Sequence, residues 1–129
     1  MARILVVDDE KDIRTLLEQV LQHAGYEVET AGNGREALEA LERSLPDLVL
    51  LDIMMPEVDG WEVARHVKTK QKSKDVPVVF LTVRNQAVDK IVGTEVVGVD
   101  DYITKPFDLK VLLERIARRL QERSSSSPP

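Results

Sequence analysis

Cysteine is absent from this chain, which excludes a disulfide framework and a thiolate metal site and fits a reducing compartment. Also absent is any apolar run near the roughly 18 residues of a membrane span. The opening run, Ile4 to Val7, is cut off by Asp8 and Asp9 and is too short for a signal-peptide core. Positive charge is in deficit: 18 Lys and Arg against 23 Asp and Glu leave a formal net charge of -5. That is the wrong sign for a surface that neutralises nucleic-acid phosphates or anionic lipid. A cytoplasmic domain without direct nucleic-acid or membrane binding is expected. At 129 residues and 43% hydrophobic, the chain suits one core rather than two domains.

What is present is a repeated alternation of strand and helix. Arg3 to Val7 reads as an apolar strand. Ile13, Leu16, Leu17, Val20, Leu21 and Ala24 then follow at the spacing of a helix with one buried stripe, which Gly25 stops. Glu27 to Ala31 alternates polar and apolar residues, as a strand with one wet face does, and Asn33-Gly34 turns the chain into a helix bearing Ala37, Leu38 and Leu41. Pro46-Asp47 precedes a third strand, Leu48 to Leu51, and the loop from Asp52 to Gly60 leads to a helix with Val63, Ala64 and Val67. Pro77 introduces the strand Val78 to Leu81, and a fourth helix is expected over Ala87 to Val97. Tyr102-Ile103 make a short fifth strand. Leu109, Leu112, Leu113, Ile116, Ala117 and Leu120 form the last helical stripe, capped by Asp108. Ser124 to Pro129 reads as linker.

This alternation implies an α/β fold, a doubly wound five-stranded parallel sheet with right-handed crossovers and helices on both faces. Strands one, three and four are apolar on both faces and belong in the centre; strands two and five, polar or very short, belong at the edges. The natural order is 2-1-3-4-5, flavodoxin-like, with the first and third strands adjacent at the switch point where ligands bind. Asp8, Asp9 and Asp52 then converge, flanked by Thr82 and, one strand further, Lys105. Three carboxylates packed together repel, and a divalent cation relieves that. All-oxygen ligands suit magnesium, manganese or calcium rather than zinc or copper, and magnesium keeping several waters fits so few protein ligands. Asp52 then qualifies as a nucleophile toward a phosphoryl group, with the cation and Lys105 stabilising charge on the transferring oxygens.

The residues that carry this pattern resemble a known family, the receiver domains of bacterial two-component response regulators. The resemblance covers residues 3 to about 121 and rests on Val6-Val7-Asp8-Asp9-Glu10, on Asp47 through Pro56 with Asp59-Gly60, on Leu81-Thr82, and on Gly98 through Phe107. It implies a receiver domain over residues 1–123, with 124–129 a disordered Ser/Pro tail or linker stump. Asp52 is the implied phosphoacceptor. Asp9, Asp52 and the Met54 backbone carbonyl are the implied direct Mg2+ ligands, with Asp8 acting mainly through water and Mn2+ or Ca2+ able to replace the ion. Thr82 and Lys105 would bind phosphoryl oxygens, and the Lys105-Pro106 bond would be cis. In the implied switch Thr82 moves toward the phosphorylated Asp52, Tyr102 turns inward, and the face built by the fourth helix, fifth strand and fifth helix changes. The phosphoryl donor is a phosphohistidine on a sensor histidine kinase or histidine phosphotransfer protein, and the output face also serves a homodimer in part of the family. The chain departs from that winged-helix subgroup at Val111, usually acidic there, and in a Gly93–Gly98 spacing one residue longer. Val83 stands where the family usually has a smaller residue.

The competing reading is a magnesium-dependent aspartyl-phosphate phosphatase or phosphomutase, which needs a second acid two residues after the nucleophile to shuttle protons. That position is Met54. A flavin or nucleotide binder needs a Gly- or Ser/Thr-rich loop after the first strand, where Asp8-Asp9-Glu10 repels phosphate unless metal is present. Plainer roles are also open: Asp9 as N-cap of the first helix, Tyr102 as simple packing, His23 and His66 as exposed helix residues. Arg65, Lys68, Lys70, Lys72 and Lys74 read as a solvated helix end, and Arg115, Arg118, Arg119 and Arg123 as solvated surface.

Overall fold

Alternate residues of a strand point to opposite sides of its sheet, and the central strands of this chain carry apolar runs, Ile4–Val7, Leu48–Leu51 and Val78–Leu81, that face both sides. In the computed structural model, which describes residues 1–53, 55, 57–83 and 100–126 (82, 83 and 123–126 by backbone only), these strands are sandwiched accordingly. Leu5, Val7, Val49, Leu51, Val78 and Phe80 pack on one side with Ala37, Leu41, Val63 and Val67. Ile4, Val6, Leu48, Leu50, Val79 and Leu81 pack on the other with Leu17, Leu21, Leu112 and Ile116. Fully burying each Val, Leu or Ile contributes about 1.5–3 kcal/mol, so truncating a central one such as Leu50 to Ala should cost about 2–5 kcal/mol.

The elements are β1 (Arg3–Val7), α1 (Lys11–His23), β2 (Glu27–Ala31), α2 (Gly34–Arg43), β3 (Leu48–Asp52), α3 (Gly60–Thr69), β4 (Val78–Val83), β5 (Asp101–Lys105) and a C-terminal helix (Leu109–Ser126). The five strands form one sheet in the order β2-β1-β3-β4-β5, and all four pairings are parallel. α1 and the C-terminal helix cover one face, α2 and α3 the other. The edge positions follow polarity: β3 is buried throughout, whereas β2 opens on an exposed Glu27. β5 is longer than its two apolar residues suggest because Asp101, Thr104 and Lys105 also pair with β4. The C-terminal helix runs on to Ser126, three residues into the stretch read as linker. The fourth helix expected over Ala87 to Val97 and the Gly93–Gly98 spacing both lie outside the described residues. Among the described residues no helix is long and apolar enough to cross a membrane.

Local signals work as read at several points. Gly25 takes a φ of 99°, the left-handed conformation that ends α1. Asn33 caps α2 by accepting from the Glu36 amide at 2.9 Å, and Asp108 accepts from the Lys110 amide at 2.8 Å at the start of the last helix. One reading is corrected: Asp9 does not cap α1. The N-cap residue is Glu10, with no side-chain cap bond, because Asp9 still belongs to the strand-end turn and its side chain joins the acidic cluster.

Candidate functional site

At the switch point the chain leaves β1 for one edge of the sheet and β3 for the other, opening a crevice over the carboxyl ends of the strands. Asp8 follows directly on β1 and is fully buried; Asp52 ends β3 and is 5% exposed. Asp9 is exposed. Each of the three offers a carboxylate oxygen, and these oxygens lie within 4.8 Å of one another. β5 stands three strand spacings from β1, about 14 Å, yet Lys105 at its end reaches back across the crevice. Its Nζ lies 2.9 Å from Asp8 Oδ2, 3.6 Å from Asp52 Oδ2 and 4.0 Å from Glu10 Oε1. Burial works against the Lys105 charge, but the Asp8 hydrogen bond and the charges of Asp52, Asp8 and Glu10 together outweigh it and hold the ammonium above its ordinary range. The Lys105-Pro106 peptide is cis.

The loop after Asp52 is drawn tight by two glycines. A Cβ on Gly60 would stand 2.4 Å from the Asp52 carbonyl oxygen, and one on Gly34 would stand 2.2 Å from the Val58 carbonyl oxygen. Only a residue without a side chain allows α3 and α2 to start so close to this loop. Asp59 caps α3, accepting from the Glu62 amide at 3.0 Å. Trp61 in the first turn of α3 packs edge-on against Phe80, with ring centres 5.0 Å apart.

The remaining expected residues fall as follows. Thr82 pairs with Thr104 one step beyond the Asp52–Leu81 pair, which puts it on the same rim of the sheet. The Met54 carbonyl lies outside the described residues. Tyr102 pairs with Phe80 and packs, partly buried, against the α2–α3 side of the core. Two groups near the cluster were not anticipated. Glu10 faces Lys105, and Arg14 donates from α1 to the Asp8 carbonyl at 2.8 Å. Helical side chains lean toward the N-terminus, the one signal that pointed Arg14 back at Asp8.

Two surface readings also change. Lys68 is not solvated: its side chain is 11% exposed and its Nζ lies 2.7 Å from Asp100 Oδ2, while also donating to the Val76 carbonyl at 2.9 Å. Arg115 and Arg119 clasp Asp101 at 2.9 and 3.1 Å. In both cases an acid at the start of β5 collects long cationic side chains, Asp101 from a buried position and Asp100 from an exposed one.

Chemically the donor set consists of carboxylate oxygens, hard ligands that suit a hard cation. Three carboxylates against the Lys105 ammonium leave an excess of two negative charges, which one divalent ion would balance. The exposed Asp9 leaves a side open to water and to an incoming group. The residues present therefore fit such an ion.

Residues 4–117 match the model of the response regulator receiver domain. The chain is 41% identical over 126 residues to the alkaline phosphatase synthesis transcriptional regulatory protein PhoP of Bacillus subtilis, covering 98% of this chain and 51% of that protein. It spans about half the length of the curated relatives it matches. Among solved structures, the chemotaxis protein CheY4 of Vibrio cholerae superposes with a TM-score of 0.85 at 36% identity, covering 92% of this chain and 98% of that one. The signal receiver domain of a signal transduction histidine kinase from Syntrophus aciditrophicus gives 0.89 at 33% identity, covering 100% and 97%. A parallel sheet with acids gathered at its switch point, and a family match that spans nearly its whole length, establish that this chain belongs to the response regulator receiver domains.

Proposed function

We propose that this domain is a magnesium-dependent phosphoacceptor switch in which Asp52 takes a phosphoryl group from a phosphohistidine on a sensor histidine kinase or phosphotransfer protein. The observation that carries the reading is the convergence of Asp8, Asp9, Asp52 and Lys105 on one crevice from three different strands. Asp52 is the nucleophile: a carboxylate oxygen bonds to phosphorus as the phosphorus–nitrogen bond breaks, and the imidazole leaves as the neutral base after gaining a proton. Lys105 offers its ammonium to one transferring oxygen, and Thr82 its hydroxyl to another. Asp9, Asp52 and the Met54 carbonyl would hold Mg2+ directly, with Mn2+ or Ca2+ as possible replacements; when bound, the ion supplies charge neutralisation for the phosphoryl oxygens. Both Asp8 oxygens already accept, one from Lys105 at 2.9 Å and one from the Glu10 amide at 2.9 Å, which supports a role for Asp8 through water.

The phosphorylated Asp52 draws Thr82 toward it, Tyr102 turns inward, and the face of the fourth helix, β5 and the C-terminal helix changes for output or for homodimer formation. Residues 1–123 form the receiver unit, and its C-terminal helix carries on to Ser126 within the stretch read as linker. The domain acts in the cytoplasm, catalyses only its own phosphorylation and dephosphorylation, and leaves nucleic-acid contact to other segments. The test is incubation with Mg2+ and acetyl phosphate followed by intact mass. One phosphoryl adduct is expected on the native chain and none on Asp52→Asn; the same adduct on the variant overturns the assignment.

A further inference from the structure

Asp8 and Asp9 share one peptide unit, and its oxygen is held from outside the acidic cluster. Arg14 Nη1 donates to the Asp8 carbonyl at 2.8 Å, while the Asp8 amide donates to Ala31 O at 3.2 Å and continues the β1–β2 ladder by one residue. Arg14 itself is set by the first turn of α1, its amide donating to Glu10 O at 3.1 Å. The guanidinium lies against Gly32, where a Cβ would stand 3.1 Å from Nη1 and 3.3 Å from Cζ. Glu36 flanks the same spot, its Oε1 accepting from the Gly32 amide at 2.8 Å. A side chain at position 32 would contest the space the guanidinium fills.

We propose that Arg14 is a positioning residue for the metal ligands. A peptide unit is planar, so a bond to the Asp8 oxygen sets the tilt of the plane that carries the Asp9 nitrogen, and through it the direction in which Asp9 presents its carboxylate. Asp9 is exposed, and among the described residues no hydrogen bond holds its side chain, unlike buried Asp8, whose oxygens are held by Lys105 and the Glu10 amide. A charge-assisted bond from a guanidinium is about twice as strong as a neutral one, which suits the task. The proposal rests on the metal-dependent reading above and adds to it the group that aims the exposed ligand.

Charge alone predicts the opposite sign. A cation beside the site repels a dication, so deleting it should tighten binding; losing the aim of Asp9 should weaken it. The experiment is calorimetric titration of MgCl2 into the 129-residue chain and into Arg14→Met and Arg14→Lys, with thermal denaturation of each in the absence of metal. Arg14→Met is expected to weaken Mg2+ binding about 10-fold, the low end for groups that orient metal ligands, and Arg14→Lys to recover part of the loss. Tighter binding in Arg14→Met with native affinity in Arg14→Lys would reduce Arg14 to a nearby charge and overturn the proposal. So would unchanged affinity with a lower melting temperature, which marks a brace for the fold. Failure of the native chain to bind Mg2+ overturns the metal-dependent reading itself, and with it this extension.

Discussion

Lys105 donates to Asp8 Oδ2 at 2.9 Å although 97 positions separate them in sequence and two strands lie between theirs in the sheet. Asp52, on an intervening strand, is the more distant partner at 3.6 Å. The lysine thus neutralises a buried acid before any phosphoryl group arrives. Lys105→Met should leave that acid without its counter-charge, keeping only the bond from the Glu10 amide among the described residues, and cost about 1–3 kcal/mol in the absence of metal. It should also enlarge the stabilisation gained on adding Mg2+, since a more negative cluster attracts a dication more strongly. Thermal denaturation with and without Mg2+ reads both; equal Mg2+ shifts in the two proteins would count against the shared electrostatics. The pH dependence has a definite sign. Because the folded Lys105 is held above its ordinary 10.5, its stabilisation is fully present below that value and is lost as pH rises through the raised one. The difference between native and Lys105→Met should therefore be flat from about pH 7 to pH 9 and shrink only in stronger alkali.

Asp8 and Asp9 are neighbours with opposite burial, and their amides should behave differently. Asp9→Asn relieves repulsion at an exposed position, so without metal it should melt at or above the native temperature while losing most of the Mg2+-induced shift. Asp8→Asn disturbs a buried hydrogen-bonded carboxylate and should cost about 1–3 kcal/mol. Equal losses in the two variants would contradict the distinction.

Trp61 is the single tryptophan, and it sits beyond the loop that follows Asp52 with its ring 5.0 Å from that of Phe80. Its emission should change on adding Mg2+ or acetyl phosphate. Unchanged emission under conditions where mass or calorimetry proves binding would remove the coupling.

At the opposite end of the strands, the sequestered Lys68 ammonium pairs at 2.7 Å with the more exposed Asp100. Lys68→Met should cost about 1–3 kcal/mol, because Asp100 keeps its bond from the Val78 amide but loses its counter-charge, and the Val76 carbonyl loses a donor. A double-mutant cycle with Asp100→Asn checks the coupling; additive losses would mean the two act separately.

Gly34 opens α2, where alanine would ordinarily gain up to about 1 kcal/mol of helix propensity. Here the added Cβ would meet the Val58 carbonyl oxygen at 2.2 Å, and the backbone must move to admit it. Gly34→Ala should therefore destabilise by about 1–3 kcal/mol, measured by urea denaturation. A stabilised variant would mean that the approach of α2 to the β3–α3 loop is looser than the structure shows.

Much of the fold is legible in the residues because burial is periodic. Val49 and Leu50 are both apolar since both faces of β3 are covered, and Glu27 opens β2 since that strand borders solvent. Polarity alone therefore orders the strands, and the order alone carries Asp8, Asp9 and Asp52 to one rim. Lys68 shows where this logic stops. Its place in a basic run reads as solvated, yet Asp100 arrives beside it only once β5 has paired with β4.

By itself, then, the sequence determined the alternation of strand and helix, the sheet order and the set of acids at the switch point, because each of these depends on which side of a local element is apolar. Only the tertiary structure decided that Lys105 prefers Asp8 to Asp52, that Arg14 grips the Asp8 carbonyl and that Gly34 has no room for a methyl group. Those outcomes depend on sheet twist, on the reach of long side chains and on differences of less than an ångström between groups remote in the chain, and no local periodicity encodes them.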